Sequence, residues 1–150
     1  MKFFLILLTG GLFTGSLHAQ QAEDSVKWVV NRMFEGMKNA DSGLVRSALA
    51  DSVIFQTLVT QKDGSIRVAS EDPREFVAFI GRLSRGDADE QITFETVRVD
   101  GPLAMAWTPY TFYYKGQFSH CGVDCFQLVR INGAWKIQYI IDTRRRQPCP

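Results

Sequence analysis

The run Ser-His-Cys-Gly-Val-Asp-Cys-Phe at residues 119–126 brings His120, Asp124, Cys121 and Cys125 into one short stretch. Those side chains could ligate a metal, supply a thiolate nucleophile, transfer protons or close a disulfide. Spacing decides among these. Val123, Phe126, Leu128 and Val129 mark an extended strand, in which successive side chains point to opposite faces. Cys121 and Cys125 then share one face with α-carbons roughly 13 Å apart at about 3.3 Å per residue. His120 and Asp124 point to the other face. A metal would need three or four donors within about 2.0–2.3 Å of the ion, so no metal site is expected. Bridged cysteines have α-carbons about 4.4–6.8 Å apart, so Cys121 and Cys125 do not pair with each other. A cysteine nucleophile needs a base beside the thiol, and His120 projects away from both. General acid–base chemistry by Asp124 and His120 is the best enzymatic reading. Its competitor is a polar network in which the two only organise the mouth of a pocket.

The elements that must position these residues follow from periodicity. Val26, Val29, Val30, Met33, Phe34 and Met37 form a helical stripe within 24–40, and Ser42 to Ala50 fits a second short helix. Residues 52–60 read as a strand, and Ile66–Ala69 returns as another after the turn at 62–65. Asp72 as N-cap, Pro73 at the first helical position and Glu75 open a third helix. Four long strands are then expected at 91–99, 103–114, 117–131 and 134–143, divided by Asp-Gly-Pro, Lys-Gly and Asn-Gly turns. Helices first and an antiparallel meander after them predict an α+β fold, with three N-terminal helices on a strongly curved antiparallel sheet. Pro109 and Gly122 are the expected bends.

Two-residue loops at Lys115-Gly116 and Asn132-Gly133 fix a register. In it, Asp124 faces Trp107 and Ile141, and His120 faces Thr111 and Arg145. One face then collects Met105, Trp107, Phe126, Leu128, Trp135, Ile137 and Tyr139, and the helices must cover it. Toward one end this face turns polar, with Thr111, Tyr113, His120, Asp124, Thr143 and Arg145. An apolar cavity with a few convergent polar groups is the expected form of a small-molecule site. Trp107, Thr111, Tyr113, His120, Asp124, Tyr139, Thr143 and Arg145 are therefore the expected ligand-binding residues, for a small apolar or aromatic ligand. The opposite face, with Tyr110, Phe112, Cys125 and Ile140, is apolar enough to suggest a homodimer. A bulge would exchange the faces beyond it, and Pro109 is a candidate position.

The termini and the composition set the compartment. Lys2, the apolar run Phe3–Leu8 and small residues before Ala19 have the layout of a secretory signal peptide ending at residue 19. One domain, residues 20–150, would remain, exported to the periplasm or the exterior. Without Lys2 the basic and acidic residues balance, so no nucleic-acid partner is expected, and no other run is apolar enough for a membrane span. Nothing in the sequence calls for a cofactor. Export permits disulfides, but three cysteines leave one over. Cys149 could fold back to Cys121 or Cys125. Cys121, set opposite Arg144 where the tail departs, is the preferred partner, against the alternative of three free thiols.

The motifs W-x-P-Y-x-F at 107–112, S-H-C-G-V at 119–123, W-K-I at 135–137 and I-D-T-R-R at 141–145 resemble the nuclear transport factor 2-like superfamily, also called SnoaL-like or cystatin-like. Within it the chain is similar to an exported bacterial branch labelled lumazine-binding. The resemblance implies a cone-shaped α+β fold around a pocket. Its members include isomerases, dehydratases, cyclases and pure binding modules, so the fold does not select a reaction. Asp124-Cys125 stands where the branch often carries Asn-Ser, so roles for these two rest on this sequence alone. The leading expectation is an exported small-molecule-binding module. The alternatives are a small lyase or isomerase using Asp124 and His120, and a pocketless interaction domain.

Overall fold

The computed structural model describes the backbone of residues 14–149 and the side chains from Gln20 onward. Most of the expected signal peptide, residues 1–13, lies outside the described residues. Three helices, α1 (Thr14–Asn39), α2 (Ser42–Ala48) and α3 (Pro73–Ile80), accompany seven strands. These are β1 (Leu49–Thr60), β2 (Ile66–Glu71), β3 (Ala88–Ile92), β4 (Thr96–Asp100), β5 (Leu103–Tyr114), β6 (Gln117–Ile131) and β7 (Ala134–Arg145). They form one sheet in the order β2-β1-β7-β6-β5-β3, with β4 also paired to β5. No described helix is long and apolar enough to cross a membrane.

The α1 stripe is buried as its spacing requires, from Val26 and Val30 through Met33, Phe34 and Met37. It lies on the inner face of the sheet, where Phe34 meets Phe126 edge-on at 6.0 Å between ring centroids. Asp41 caps α2 by accepting a bond from the Leu44 amide, and Asp72 caps α3 through the Arg74 amide, with Pro73 at the first helical position.

Three expectations need correction. The sheet is mixed: β1 runs parallel to β7. No hairpin constrains that pairing, because the two strands are distant in sequence and joined through every other element. The expected strand at 91–99 is two strands, β3 and β4, both antiparallel to β5. The break lies opposite Pro109, whose nitrogen has no hydrogen for a ladder bond, and only Thr93 and Glu95 bond across it, to the Pro109 and Trp107 carbonyls. The third correction concerns register. Both hairpin turns form as expected, with Lys115, Gly116, Asn132 and Gly133 all at positive φ, as a two-residue loop of this kind requires. Each ladder then slips by one residue. The β5–β6 slip falls between Phe112 and Tyr113, leaving Ser119 unopposed, and the β6–β7 slip falls between Gln127 and Leu128, leaving Gln138 unopposed. Beyond each bulge the faces exchange.

Asp124 therefore opposes Thr108 and Asp142, in place of Trp107 and Ile141. The strand carrying the chemistry is set by two bulges, neither of them at Pro109.

The tail folds back over β6, and Cys121 and Cys149 are joined by a disulfide with α-carbons 5.6 Å apart. Cys125 is the free thiol among the described cysteines. Cys121 is fully covered.

Candidate functional site

Between α1, α3 and the inner face of the sheet lies a cavity of about 220 Å³. Its walls are largely apolar: Met33, Phe34 and Met37 from α1, Phe76 and Phe79 from α3, and Phe55, Phe112 and Ile140 from the sheet. One end is polar, with Glu71, Glu90, His120, Asp124, Asp142 and Arg144. Alternation along β6 places His120, Gly122 and Asp124 on the inner face, and the slipped register adds Tyr110, Phe112, Ile140, Asp142 and Arg144 from the flanking strands.

Asp124 is 5% exposed, and its Oδ2 accepts a 3.3 Å bond from Thr108, itself fully buried. The carboxyl of Glu90 on β3 lines the same polar end, near enough for each of the two to alter the other's protonation. Two neighbouring carboxyls cannot both ionise cheaply in apolar surroundings, so the pair keeps its protons to higher pH than ordinary carboxyls do. Burial, reinforced by the Glu90 charge, pushes Asp124 well above the ordinary carboxylate range. Burial and the Asp142 charge push Glu90 up to about 8.

Asp142 is 7% exposed. Its Oδ2 accepts from Arg144 Nε at 2.7 Å and lies 3.3 Å from the Tyr110 hydroxyl. The Tyr110 hydroxyl is also 3.0 Å from the Thr143 carbonyl, so its single proton serves two acceptors. Burial, with Asp142 beside it, raises the phenol far above its usual range. Gly122 is the cross-strand partner of Tyr110, and a Cβ there would meet the Thr143 carbonyl and approach Tyr110 Cε1 to 2.9 Å. Glycine is what lets the ring lie flat over the strand. His120 packs against Tyr110 and Phe112 at 5.7 and 5.1 Å between centroids, and its Nδ1 lies 3.0 Å from Ser119 Oγ. Burial, aided by Arg144, lowers its pKa and favours the neutral imidazole.

Two buried oxygens in this wall have no hydrogen-bond partner among the described residues: Asp142 Oδ1 and Thr57 Oγ1. Thr57 and Asp142 are register partners on adjacent strands, and both line the cavity.

Of the expected binding residues, His120 and Asp124 line this cavity. The others lie on the outer face or in its bonding. Trp107 is 40% exposed and pairs with Cys125. Thr111 pairs with Cys121, and Tyr113 stacks edge-on with Phe118. Tyr139 donates to Gln56 Oε1 at 2.6 Å, Thr143 accepts from the Val123 amide, and Arg145 binds the Pro148 carbonyl. The residues sequence reasoning missed are Glu90, Tyr110, Asp142, Arg144 and Thr57. Alternation in Asp142-Thr143-Arg144 was visible, but the bulge at Gln138 decides which member faces inward. Glu90 lay just before the expected start of its strand. Among the described residues no three His, Cys, Asp or Glu side chains converge as metal ligands would.

The fold recurs in solved structures. A protein of unknown function from Shewanella baltica, described as NTF2-like, matches with a TM-score of 0.63 over 92% of this chain and 100% of its own, at 15% identity. The fold is NTF2-like. A function-unknown protein from Mycobacterium tuberculosis superposes with a TM-score of 0.69 over 91% of this chain and 79% of its own, at 15% identity. A conserved protein from Planctomyces limnophilus gives 0.64 over 84% and 98%, at 18% identity. Neither the protein-family models nor the curated proteins contain a match to this sequence. A shared fold at this level of identity does not by itself assign a role to the cavity or its polar residues.

Proposed function

We infer that this protein is an exported small-molecule-binding module whose ligand occupies the inner cavity. The carrying observation is the cavity itself: about 220 Å³, walled by phenylalanines and methionines, ending on a cluster of buried polar groups. Such a site takes a ligand with an apolar body and a polar group at one end. The Cys121–Cys149 disulfide supports export, because such bonds persist in oxidising compartments.

A second reading, a lyase or isomerase, draws on one specific observation. Asp124 and Glu90, both raised by burial, stay protonated into the neutral range at the end of an apolar cavity, beside a neutral His120. A carboxyl tuned into the neutral range can give or take a proton from a bound carbonyl or ring.

Native mass spectrometry of the mature protein purified from its own source tests the binding reading. The expected result is a small-molecule adduct on the wild type that is lost in Ile140→Trp, where an indole enters the cavity. Bare polypeptide in the wild type, or an adduct that survives the substitution, would contradict it.

A further inference from the structure

The polar end of the cavity is unbalanced in charge and in hydrogen bonding, and the two imbalances point to the same chemical group. Asp142 uses Oδ2 for Arg144 and Tyr110, yet its Oδ1 is buried without a partner among the described residues. The Thr57 hydroxyl oxygen, one strand over at the paired position, is buried and unpartnered as well. Leaving a buried polar atom unpaired is costly, and more so when it is charged. Two such atoms on neighbouring positions of one cavity wall mark a place where something else completes the bonding. Both can accept a hydrogen bond, so a donor group is what either lacks.

Charge selects the kind of donor. Facing the cavity are the carboxyls of Asp142 and Glu71, beside the protonated Asp124–Glu90 pair, against Arg144 as the one cation among the described lining residues. The neutral His120 adds no positive charge. A neutral hydroxyl would satisfy one acceptor and leave the excess negative charge in low dielectric. An anion would be repelled. An ammonium carries three donors and a positive charge, and the rings of Phe55, Phe76 and Phe112 offer faces and apolar surface to the body it is attached to.

The geometry points to a ligand bearing a primary or secondary ammonium on a compact apolar body, its nitrogen held by Asp142 Oδ1 and Thr57 Oγ1. This rests on the reading of the cavity as a small-molecule site and specifies what that site selects. The carboxylate supplies most of the discrimination, since hydrogen bonds between charged groups are stronger than those between neutral ones. The threonine orients the nitrogen.

The test uses three probes of one shape on the full mature chain with its disulfide intact: 3-phenylpropylamine, 3-phenylpropan-1-ol and 3-phenylpropanoate, compared by isothermal titration calorimetry. The amine is expected to bind at least about tenfold more tightly than the alcohol, and the carboxylate more weakly than either. Asp142→Asn should bring the amine down to the affinity of the alcohol. Thr57→Val, close in shape, should weaken the amine about threefold and leave the alcohol unchanged. The wild-type comparison requires no variant, so it stands even if Asp142→Asn does not fold. Equal binding of amine and alcohol, or a carboxylate that matches the amine, would overturn the ammonium assignment and leave the cavity's role as a binding site intact. Failure of all three probes at millimolar concentration would count against both.

Discussion

The two ends of the inner sheet face are built from the same three strands and behave in opposite ways. At one end Ala104, Ala106, Phe126, Leu128, Trp135 and Ile137 are buried under α1 and form the heart of the core. The alanines on β5 let the helix approach, and Phe126 fills the space against Phe34. At the other end the same strands carry Thr108, Tyr110, Asp124 and Asp142, also buried, but around a cavity. The apolar end is satisfied by its own contacts. The polar end is not, since it keeps two oxygens unpartnered among the described residues and holds several carboxyls close together. Stability lives at one end, and the capacity to bind something lives at the other.

Breaking the apolar end should therefore cost stability and little else. Phe126→Ala removes a side chain with no exposed surface and should lower unfolding stability by about 3–5 kcal/mol in urea denaturation. The amine-over-alcohol preference of whatever folded protein remains should be unchanged. Loss of that preference would mean that the two ends are not separable.

Changes at the polar end should show up in pH dependence, and the effect is smaller. The Asp124–Glu90 proton is held to higher pH in the folded chain than in the unfolded one, where both are ordinary carboxyls. Between the ordinary carboxylate range and about pH 8 the folded state binds more protons. Its stability from this pair is therefore full at low pH and falls as pH rises through that window. The slope is at most about 1.4 kcal/mol per pH unit for one proton. Glu90→Gln should flatten the fall in a series of urea denaturations between pH 5 and 8, and a parallel fall in both proteins would remove the pair as its cause.

The same contrast explains what could be read from the sequence. The helical stripe of α1, the cap at Asp72 and the two Gly-containing hairpin turns carry strong local signals, and β6 and β7 at the apolar end lie close enough to the Asn132-Gly133 turn to inherit its register, whereas β5 there turns Ala104 and Ala106 inward in place of the expected Met105. Leu128 opposes Ile137 as that turn demands. The polar end lies beyond the bulges at Ser119 and Gln138, and neither residue differs in type from its neighbours in any way that announces an unpaired position. A one-residue slip was enough to bring Tyr110, Asp142 and Arg144 inward and to put Trp107, Tyr139 and Thr143 outside. His120 and Asp124 stayed inward because they belong to β6 itself, the strand against which both slips are counted. The parallel pairing of β1 with β7, which places Thr57 beside Asp142, depends on contacts distant in sequence and leaves no periodic trace.

The most direct test of the central claim, a carboxyl pair that stays protonated into the neutral range at the polar end of the cavity, is a carbon-13 NMR titration of the side-chain carboxyls. One carboxyl resonance should still be titrating near pH 8, and Asp124→Asn and Glu90→Gln should each abolish that late step, because the apparent value belongs to the pair. If every carboxyl in the wild type has finished titrating in the ordinary carboxylate range, the pair does not stay protonated into the neutral range and the account of the site is wrong.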